Sequence, residues 1–447
     1  MIANTSNLFY FIFLNCLHFR INFHFGSVSW VVKGELTMFI QRFLKRKRQF
    51  HHILDGYIFI MLLRKLLGAS FFSLMWSRDK VVATFSYLGF VSFNVWYSLY
   101  FWSMYNVFIA DQTILRILFE TKIRQYGDLV ENIVITAYVV YTMWKISYDL
   151  SGSTEHIKQI MEIDAEIEKL GERIDYSKSA TLSLFVLISH FVVCFIRVFV
   201  VCISMGNRKA SLHYSKLFQI TFSDSLSFTV TNYFCTYLYA LRDRYKRINR
   251  VLKGLGTRSD KDLFVRNKNL INVYRMEDRH VCKKINACGK VYSMLFKASE
   301  TANDKFGFAL LLTMFVWLIL TVLYLYYFME ATAAGLFHDV QRYINFLVYV
   351  SWQIIFAVAI ISSAIYFCEN IVKEAKLTSY LVHTIISDTW DMSVKEEALR
   401  LSIQIVHQTP KFTARGLFIV EYELLLEGAR SVLTFLVILL QFVTQKN

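Results

Sequence analysis

Long apolar stretches separated by charged connections dominate this sequence of 447 residues. An apolar run of about 20 residues is long enough to cross a bilayer as a helix. The pattern predicts seven membrane-spanning helices, near 84–109, 129–148, 180–204, 217–241, 306–328, 343–368 and 430–444. A further apolar piece, Leu8 to Leu17, is too short to span. It also lacks the basic start and the cleavage site of a signal peptide.

The charge of the connections predicts how these helices are oriented. The segment 242–305 contains seventeen Lys and Arg residues, whereas the segment 329–342 contains only Arg342. Because basic connections are retained on the cytoplasmic side, we expect the first segment inside the cell and the second outside. Seven spans then give a cytoplasmic N-terminus and an extracellular C-terminus. The basic block from Lys45 to Arg48 agrees with this orientation.

The same pattern divides the chain into six regions. They are 1–83, a cytoplasmic region with an interfacial helix; 84–241, spans one to four; 242–305, a basic cytoplasmic helical loop; 306–368, spans five and six; 369–429, cytoplasmic helices leading to the last span; and 430–447, the seventh span and the extracellular C-terminus. Helical periodicity continues into the connections, for example from Ile160 to Leu170. We therefore expect a packed helical cytoplasmic domain, with separate solvated stalks as the alternative.

Composition narrows the class of protein further. A hydrophobic content of 55% and an aromatic content of 17% exceed those of ordinary soluble proteins. One proline and 16 glycines favour long helices, so the expected fold class is an all-α membrane protein. The net charge of +15 comes from the connections between spans and does not indicate nucleic acid. The seven cysteines are scattered singly, and Cys282, Cys288 and His280 lack zinc-site spacing, so we expect no metal or cofactor.

Motifs for catalysis and for other receptor classes give little support. The sequence contains no His-Glu-x-x-His, Gly-x-Ser-x-Gly or phosphate-binding Gly-Lys-Ser/Thr, so we expect a protein that is not an enzyme. Asp243-Arg244-Tyr245 matches a tripeptide of rhodopsin-like G-protein-coupled receptors, but here it ends the fourth span instead of the third. The predicted cytoplasmic N-terminus is also opposite to theirs. A seven-span G-protein-coupled-type receptor is kept as an alternative.

The stretch from Thr434 to Phe442 is the most informative motif. Its pattern of Thr-Phe, five apolar residues and Gln-Phe resembles the signature of the insect gustatory receptor family, with Phe435 in place of the usual tyrosine. Gly416-Leu417-Phe418 and the pattern from Asp164 to Tyr176 are also similar to family members. Together with the spans and their orientation, these motifs identify the chain as a member of that family.

The resemblance implies a ligand-gated, non-selective cation channel in the plasma membrane of chemosensory neurons. Its partners would be a small-molecule tastant, the lipid bilayer, permeating cations and further subunits, in a homotetramer or a heteromer with related receptors. The seventh helices would surround the pore, with Thr434, Ile438, Gln441 and Phe442 at the pore and gate. Rings of apolar side chains can close such a pore by dewetting. Gly428 would be either a break before the pore-lining part or a packing glycine.

One residue of the motif narrows the branch of the family. Leu436 stands where the sugar-receptor branch carries a glutamate. The resemblance therefore favours bitter-type receptors first and the fructose-receptor-like branch second.

Charged and aromatic residues in the outer halves of the spans are candidates for ligand binding. Arg197 and Asp224 lie roughly 10 Å below the outer surface, where unpaired ions are costly, so we expect them to pair. The pair is either a lock between two helices or part of a pocket. Rings and hydroxyls suit small organic ligands, although an interfacial aromatic belt is the alternative. The further candidates are Tyr327, Glu330, Ser351 and Trp352.

Overall fold

The computed structural model describes residues 53–77, 80–110, 122–148, 152–205, 214–259, 271–333 and 340–444. Within these ranges the chain is mostly helical and contains one two-stranded sheet. The elements in chain order are α1 (Ile53–Gly56), α2 (Ile58–Leu66), β1 (Phe72–Ser77), β2 (Lys80–Phe85), α3 (Tyr87–Ala110), α4 (Lys122–Tyr148), α5 (Gly152–Lys169), α6 (Ser177–Met205), α7 (Tyr214–Ser259), α8 (Ile271–Ala333), α9 (Val340–Asp388), α10 (Met392–His407) and α11 (Glu423–Thr444).

Seven of these helices, α3, α4, α6, α7, α8, α9 and α11, lie over the seven predicted spans. Among the described helices, three are long and apolar enough to cross a membrane by length and composition. The segments that meet this criterion are Ser177–Ser204, Arg279–Met329 and Tyr343–Asp388. Of the remaining four, α3 and α7 are rich in Tyr and Ser. Hydropathy therefore supports three spans directly, and the arrangement with seven spans stays a prediction.

The three longest helices extend far beyond any membrane-spanning length. The longest, α8, contains 63 residues. At a rise of 1.5 Å per residue it is roughly 95 Å long, about three times the thickness of a hydrocarbon core. Helices α7 and α9 contain 46 and 49 residues. Each of the three therefore continues well outside its apolar stretch.

These extensions pack against one another, together with α5 and α10. Their contact surfaces bury aliphatic and aromatic side chains almost completely, including Ile163 of α5, Leu252 of α7, Leu295 of α8, Val382 of α9 and Leu401 of α10. Since apolar side chains on four or five helices share one core, the extensions form a bundle and are not separate solvated stalks.

A buried ion pair holds this bundle next to the predicted fourth span. The Nε and Nη2 atoms of Arg244 donate to Oδ1 and Oδ2 of Asp164, both at 2.8 Å, and the Tyr176 hydroxyl donates to Oδ2 at 2.8 Å. Burial lowers the pKa of Arg244, but the neighbouring Asp164 carboxylate outweighs it and raises the pKa overall. Arg244 of the receptor-like tripeptide is therefore a packing residue in this fold.

The segment before α3 differs from the predicted fold. The sequence predicted an all-α chain with an interfacial helix within 1–83, but β1 and β2 form an antiparallel hairpin, paired from Phe72–Phe85 to Ser77–Lys80. Helix α2 buries Ile60 and Leu63 and contacts α3 and α6. The apolar face of this amphipathic helix thus contacts protein.

A tight turn connects α10 to α11. The amide of Ala414 donates to the Phe418 carbonyl at 3.0 Å, and that of Val420 donates to the Phe412 carbonyl at 2.8 Å. Gly416 has a φ of 78°, which favours glycine because it has no Cβ. Helix α11 then runs without interruption through Gly428, so the predicted break at Gly428 is wrong. A Cβ at Gly428 would meet no atom within 4 Å, so it is not a packing glycine within the described chain.

Candidate ligand site and terminal helix

Arg197 and Asp224 form the predicted pair between α6 and α7. The Nε atom of Arg197 lies 3.1 Å from Oδ2 of Asp224, and the two residues are 0% and 6% exposed. The Gln353 amide, oriented with its oxygen toward the guanidinium, accepts from Nη1 at 2.8 Å and also from Nη2. The guanidinium lies 5.5 Å from the centre of the Tyr349 ring. Arg197 therefore connects α6, α7 and α9.

A second buried pair lies between α4 and α7. Lys216 Nζ is 3.9 Å from Glu131 Oε1, and it donates to Asn132 Oδ1 at 2.9 Å. Glu131 and Lys216 are both buried. Neither this pair nor Gln353 is marked by the pattern of the sequence. Glu131 and Lys216 lie at the ends of predicted spans, where charged residues usually belong to loops, and a single amide such as Gln353 gives no pattern.

A cavity lies beside Asp224, between α4, α7 and α8. It contains about 290 Å³ of empty space. Its walls combine aromatic, aliphatic and hydroxyl side chains with one carboxylate; they are Ile135, Tyr138, Ser223, Asp224, Ser227, Thr313, Val316, Trp317 and Leu320. The pair thus joins two helices, and its carboxylate also lines a cavity, while a role in ligand binding stays a prediction.

Aromatic rings continue from this cavity toward Trp352. Trp317 lines the cavity and packs edge-on against Phe356, with ring centres 5.2 Å apart. Phe356 in turn stacks on Trp352 at 6.1 Å. The Nε1 atom of Trp352 is buried and has no hydrogen-bond acceptor among the residues that the structure describes. Trp352 is therefore linked to the cavity wall through Phe356.

The other predicted ligand residues are less directly connected. Tyr327 is buried in the same apolar cluster as Trp317, and its hydroxyl lies where a Cβ at Gly127 would be. Ser351 is partly exposed and lines neither the cavity nor the ion pair. The side chain of Glu330 lies outside the described residues.

Helix α11 exposes most of its surface in the single chain. It packs chiefly against α8, and Leu436 is the buried contact residue. The predicted pore residues Thr434, Ile438 and Gln441 are exposed. The hydroxyl of Thr434 donates to the Arg430 carbonyl at 2.9 Å. The side chain of Phe442 lies outside the described residues.

These features can be compared with known proteins. The model of a family described as 7tm chemosensory receptor matches residues 115–446. The chain belongs to this family. The receptor is 25% identical over 348 residues to gustatory receptor 28b of Drosophila melanogaster. The aligned region covers 74% of this chain and 73% of that relative. It is 23% identical over 422 residues to gustatory receptor 28a of the same species, and the aligned region covers 84% of this chain and 89% of that relative. The predicted membership of the insect gustatory receptor family is confirmed.

The fold of the receptor also matches a solved structure. It resembles the insect olfactory receptor OR5 from Machilis hrabei in complex with eugenol, with a TM-score of 0.57 and 10% identity. The match covers 86% of this chain and 97% of the olfactory receptor. At this identity the likeness shows a shared fold and nothing about the ligand. The prediction of a mostly helical chemosensory receptor fold is therefore confirmed.

Proposed function

We propose that this receptor is one subunit of a ligand-gated, non-selective cation channel in the plasma membrane of chemosensory neurons. The proposal includes seven spans, a cytoplasmic N-terminus and an extracellular C-terminus. Four copies, identical or related, surround one pore formed by their α11 helices. The observation that carries the proposal is the exposed, mixed apolar and polar face of α11.

The composition of that face favours a pore over a lipid contact. Leu433, Phe435, Val437 and Ile438 are between 41% and 63% exposed. Apolar side chains alone suit either lipid or a closed pore. Gln441 lies on the same exposed surface, and an amide in contact with hydrocarbon is costly. A shared axis where water enters when the helices separate gives the amide a polar environment.

Exposed apolar residues in the cytoplasmic bundle support assembly from several copies. Trp390 and Met392 are 88% and 76% exposed, and Val406 and Leu417 are also exposed. Trp390, Met392 and Val406 lie next to or within α10, and Leu417 lies in the turn that follows it. By the proposed orientation this whole region is in water. Large apolar patches on a soluble surface usually mark contacts with other proteins. Contacts between neighbouring subunits at this level would hold the four α11 helices around one axis.

The cavity beside Asp224 supports a small organic ligand. Its empty space of about 290 Å³ lies beside the buried carboxylate of Asp224. Rings that stack on flat molecules and hydroxyls that orient them both line it. We propose Arg197, Asp224 and Trp352 as ligand-site residues, with Tyr327, Glu330 and Ser351 as further candidates. Leu436 favours a bitter-type tastant over a sugar, and a fructose-receptor-like specificity is the second proposal.

The test is expression in a heterologous cell, with calcium imaging and patch-clamp recording across a panel of bitter compounds and sugars. Gln441→Ala should change conductance or gating and leave the ranking of ligands unchanged. Gln341→Ala is the matched control, because Gln341 is an exposed glutamine on α9 that lies outside the proposed pore. Altered ligand ranking with normal currents in Gln441→Ala would contradict the pore assignment.

A further inference from the structure

A second and larger cavity lies between α2, α4, α7 and α8. It contains about 740 Å³ of empty space and is separated from the candidate ligand site by Tyr138, which lines both cavities. Three basic residues, Arg64, Lys145 and Lys305, line its wall. None of the described residues that line this cavity is acidic. Such a concentration of positive charge indicates an anionic ligand.

The position of the cavity relates it to the membrane. Lys145 lies near the end of the predicted second span, and Lys305 directly precedes the predicted fifth span. In the proposed orientation both residues are at the cytoplasmic boundary of the bilayer, so this step rests on the proposed function. Cations at this boundary attract the anionic lipids of the cytoplasmic leaflet.

Contacts within the protein hold the three cations in place. The guanidinium of Arg64 lies 4.0 Å from the centre of the Tyr233 ring, and Nη2 donates to the Ala69 carbonyl at 3.3 Å. Lys305 Nζ is 3.1 Å from Nδ1 of His156, whose Nε2 is 2.6 Å from the Tyr233 hydroxyl. Lys145 Nζ donates to the main-chain carbonyl of Lys305. A guanidinium has five N–H donors, so Arg64 can bind a ligand in addition to its contact with the Ala69 carbonyl.

The remaining wall of the cavity suits a hydrocarbon chain. Phe71, Phe72, Tyr141 and Phe306 supply aromatic surface. The side chain of Thr229 is 1% exposed, and its Oγ1 has no hydrogen-bond partner among the described residues. A buried hydroxyl without a partner costs free energy, and an ester or phosphate oxygen in the cavity would accept a hydrogen bond from it. The site therefore combines a polar basic end with an apolar side.

We propose that this cavity binds an anionic phospholipid of the cytoplasmic leaflet. The headgroup phosphate contacts Arg64, Lys145 and Lys305, and an acyl chain lies along the aromatic side. A headgroup that carries a phosphomonoester has more than one negative charge. It therefore matches three positive side chains better than a headgroup with a single negative charge does. A phosphorylated phosphatidylinositol is the lipid class that fits this requirement.

The experiment uses the full-length purified receptor in phosphatidylcholine nanodiscs that contain a small fraction of phosphatidylinositol bisphosphate. Bound lipid is measured by native mass spectrometry. The double variant Arg64→Gln/Lys145→Gln should bind the anionic lipid about 25-fold more weakly, from a loss of about fivefold for each removed charge. The matched control Lys297→Gln/Lys376→Gln removes two exposed lysines from α8 and α9 and should bind like the wild type.

Further arms separate the possible results. Soluble inositol trisphosphate that binds as tightly as the lipid would contradict a phospholipid and indicate a free phosphate compound. An equal loss of lipid binding in the test variant and the control variant would also contradict the proposal, because the effect of charge would then not be specific to this cavity. If Arg64→Gln/Lys145→Gln is not monodisperse by size-exclusion chromatography, Lys145→Gln is compared with Lys145→Arg. Equal lipid binding by these two variants contradicts the site, and retention only by Lys145→Arg supports it.

Lipid binding is measured without tastant and without current. A receptor that binds the lipid but conducts no ions therefore contradicts only the proposed channel function. A receptor that conducts ions but does not select the anionic lipid contradicts only the lipid site.

Discussion

Separating Arg197 from Asp224 should destabilise the receptor more than removing both charges. Asp224→Asn leaves the guanidinium of Arg197 buried without its counter-ion, and Arg197→Met leaves the carboxylate of Asp224 in the same position. Both residues are almost completely buried and the two atoms of the pair lie 3.1 Å apart. The single variants therefore lose the attraction and keep the unfavourable burial of the remaining ion.

The expected size follows from the distance. Two unit charges about 3 Å apart attract by about 5 kcal/mol at an effective dielectric constant of about 20. Breaking a buried pair typically costs about 3–5 kcal/mol, whereas replacing both partners is often close to neutral. We expect a decrease of about 3–5 kcal/mol for each single variant. The double variant Arg197→Met/Asp224→Asn should lose less than either, because no unpaired ion is left. Some loss persists, because the amide of Gln353 no longer has the guanidinium as its donor.

The assay is thermal unfolding of the purified receptor, followed by fluorescence-detected size-exclusion chromatography. An exposed pair on α10 provides the control: Arg400 Nη2 lies 2.8 Å from Glu396 Oε1, and both side chains are mostly exposed. Removing either partner there should cost at most about 0.5 kcal/mol. The reasoning would be refuted if the double variant Arg197→Met/Asp224→Asn lowered the apparent melting temperature by the sum of the decreases in the two single variants.

Two further predictions concern the packed helical bundle and the segment that leads into α11. Arg244→Met should destabilise the receptor by about 3–5 kcal/mol, because it leaves the Asp164 carboxylate buried without its counter-ion. Tyr176→Phe should cost only about 1 kcal/mol, because it removes one hydrogen bond. Thermal unfolding of both variants checks this order, and equal losses of stability would contradict it. Gly416→Ala should cost about 1–2 kcal/mol because φ is positive there, while Gly428→Ala should stabilise α11 by about 1 kcal/mol. Opposite shifts in melting temperature are expected, and a loss at Gly428 would indicate that its surface contacts another subunit.

The helices could be predicted from the sequence because apolar runs and helical periodicity are local signals. The strands β1 and β2 could not, since each is only six residues long and their pairing is stabilised by contacts between segments. The break expected at Gly428 was wrong because one glycine lowers helix stability by only about 1 kcal/mol, which the surrounding leucines and valines of α11 offset.

The candidate site could be predicted only in part. Arg197 and Asp224 stood out because each is an isolated charge inside an apolar run, and the only inexpensive solution is a partner at the same depth. Gln353 carries no charge, so nothing in the sequence marks it as the third member. Arg244 was recognised as part of a familiar tripeptide, but its partner Asp164 is 80 residues away and only the packing of α5 against α7 brings them together.

Two helices, α7 and α9, are joined near both ends. At one junction, Asp224 and Gln353 both contact Arg197; at the other, Asn249 accepts from Thr378 at 2.7 Å. On each helix the two contacts are about 38 Å apart at 1.5 Å per residue. A tilt of about 5° at the upper junction would displace the lower one by roughly 3 Å, about the length of the hydrogen bond itself. In the proposed orientation, a molecule that widens the cavity beside Asp224 and tilts α7 would either bend a helix or break the contact between Asn249 and Thr378 near the cytoplasmic end.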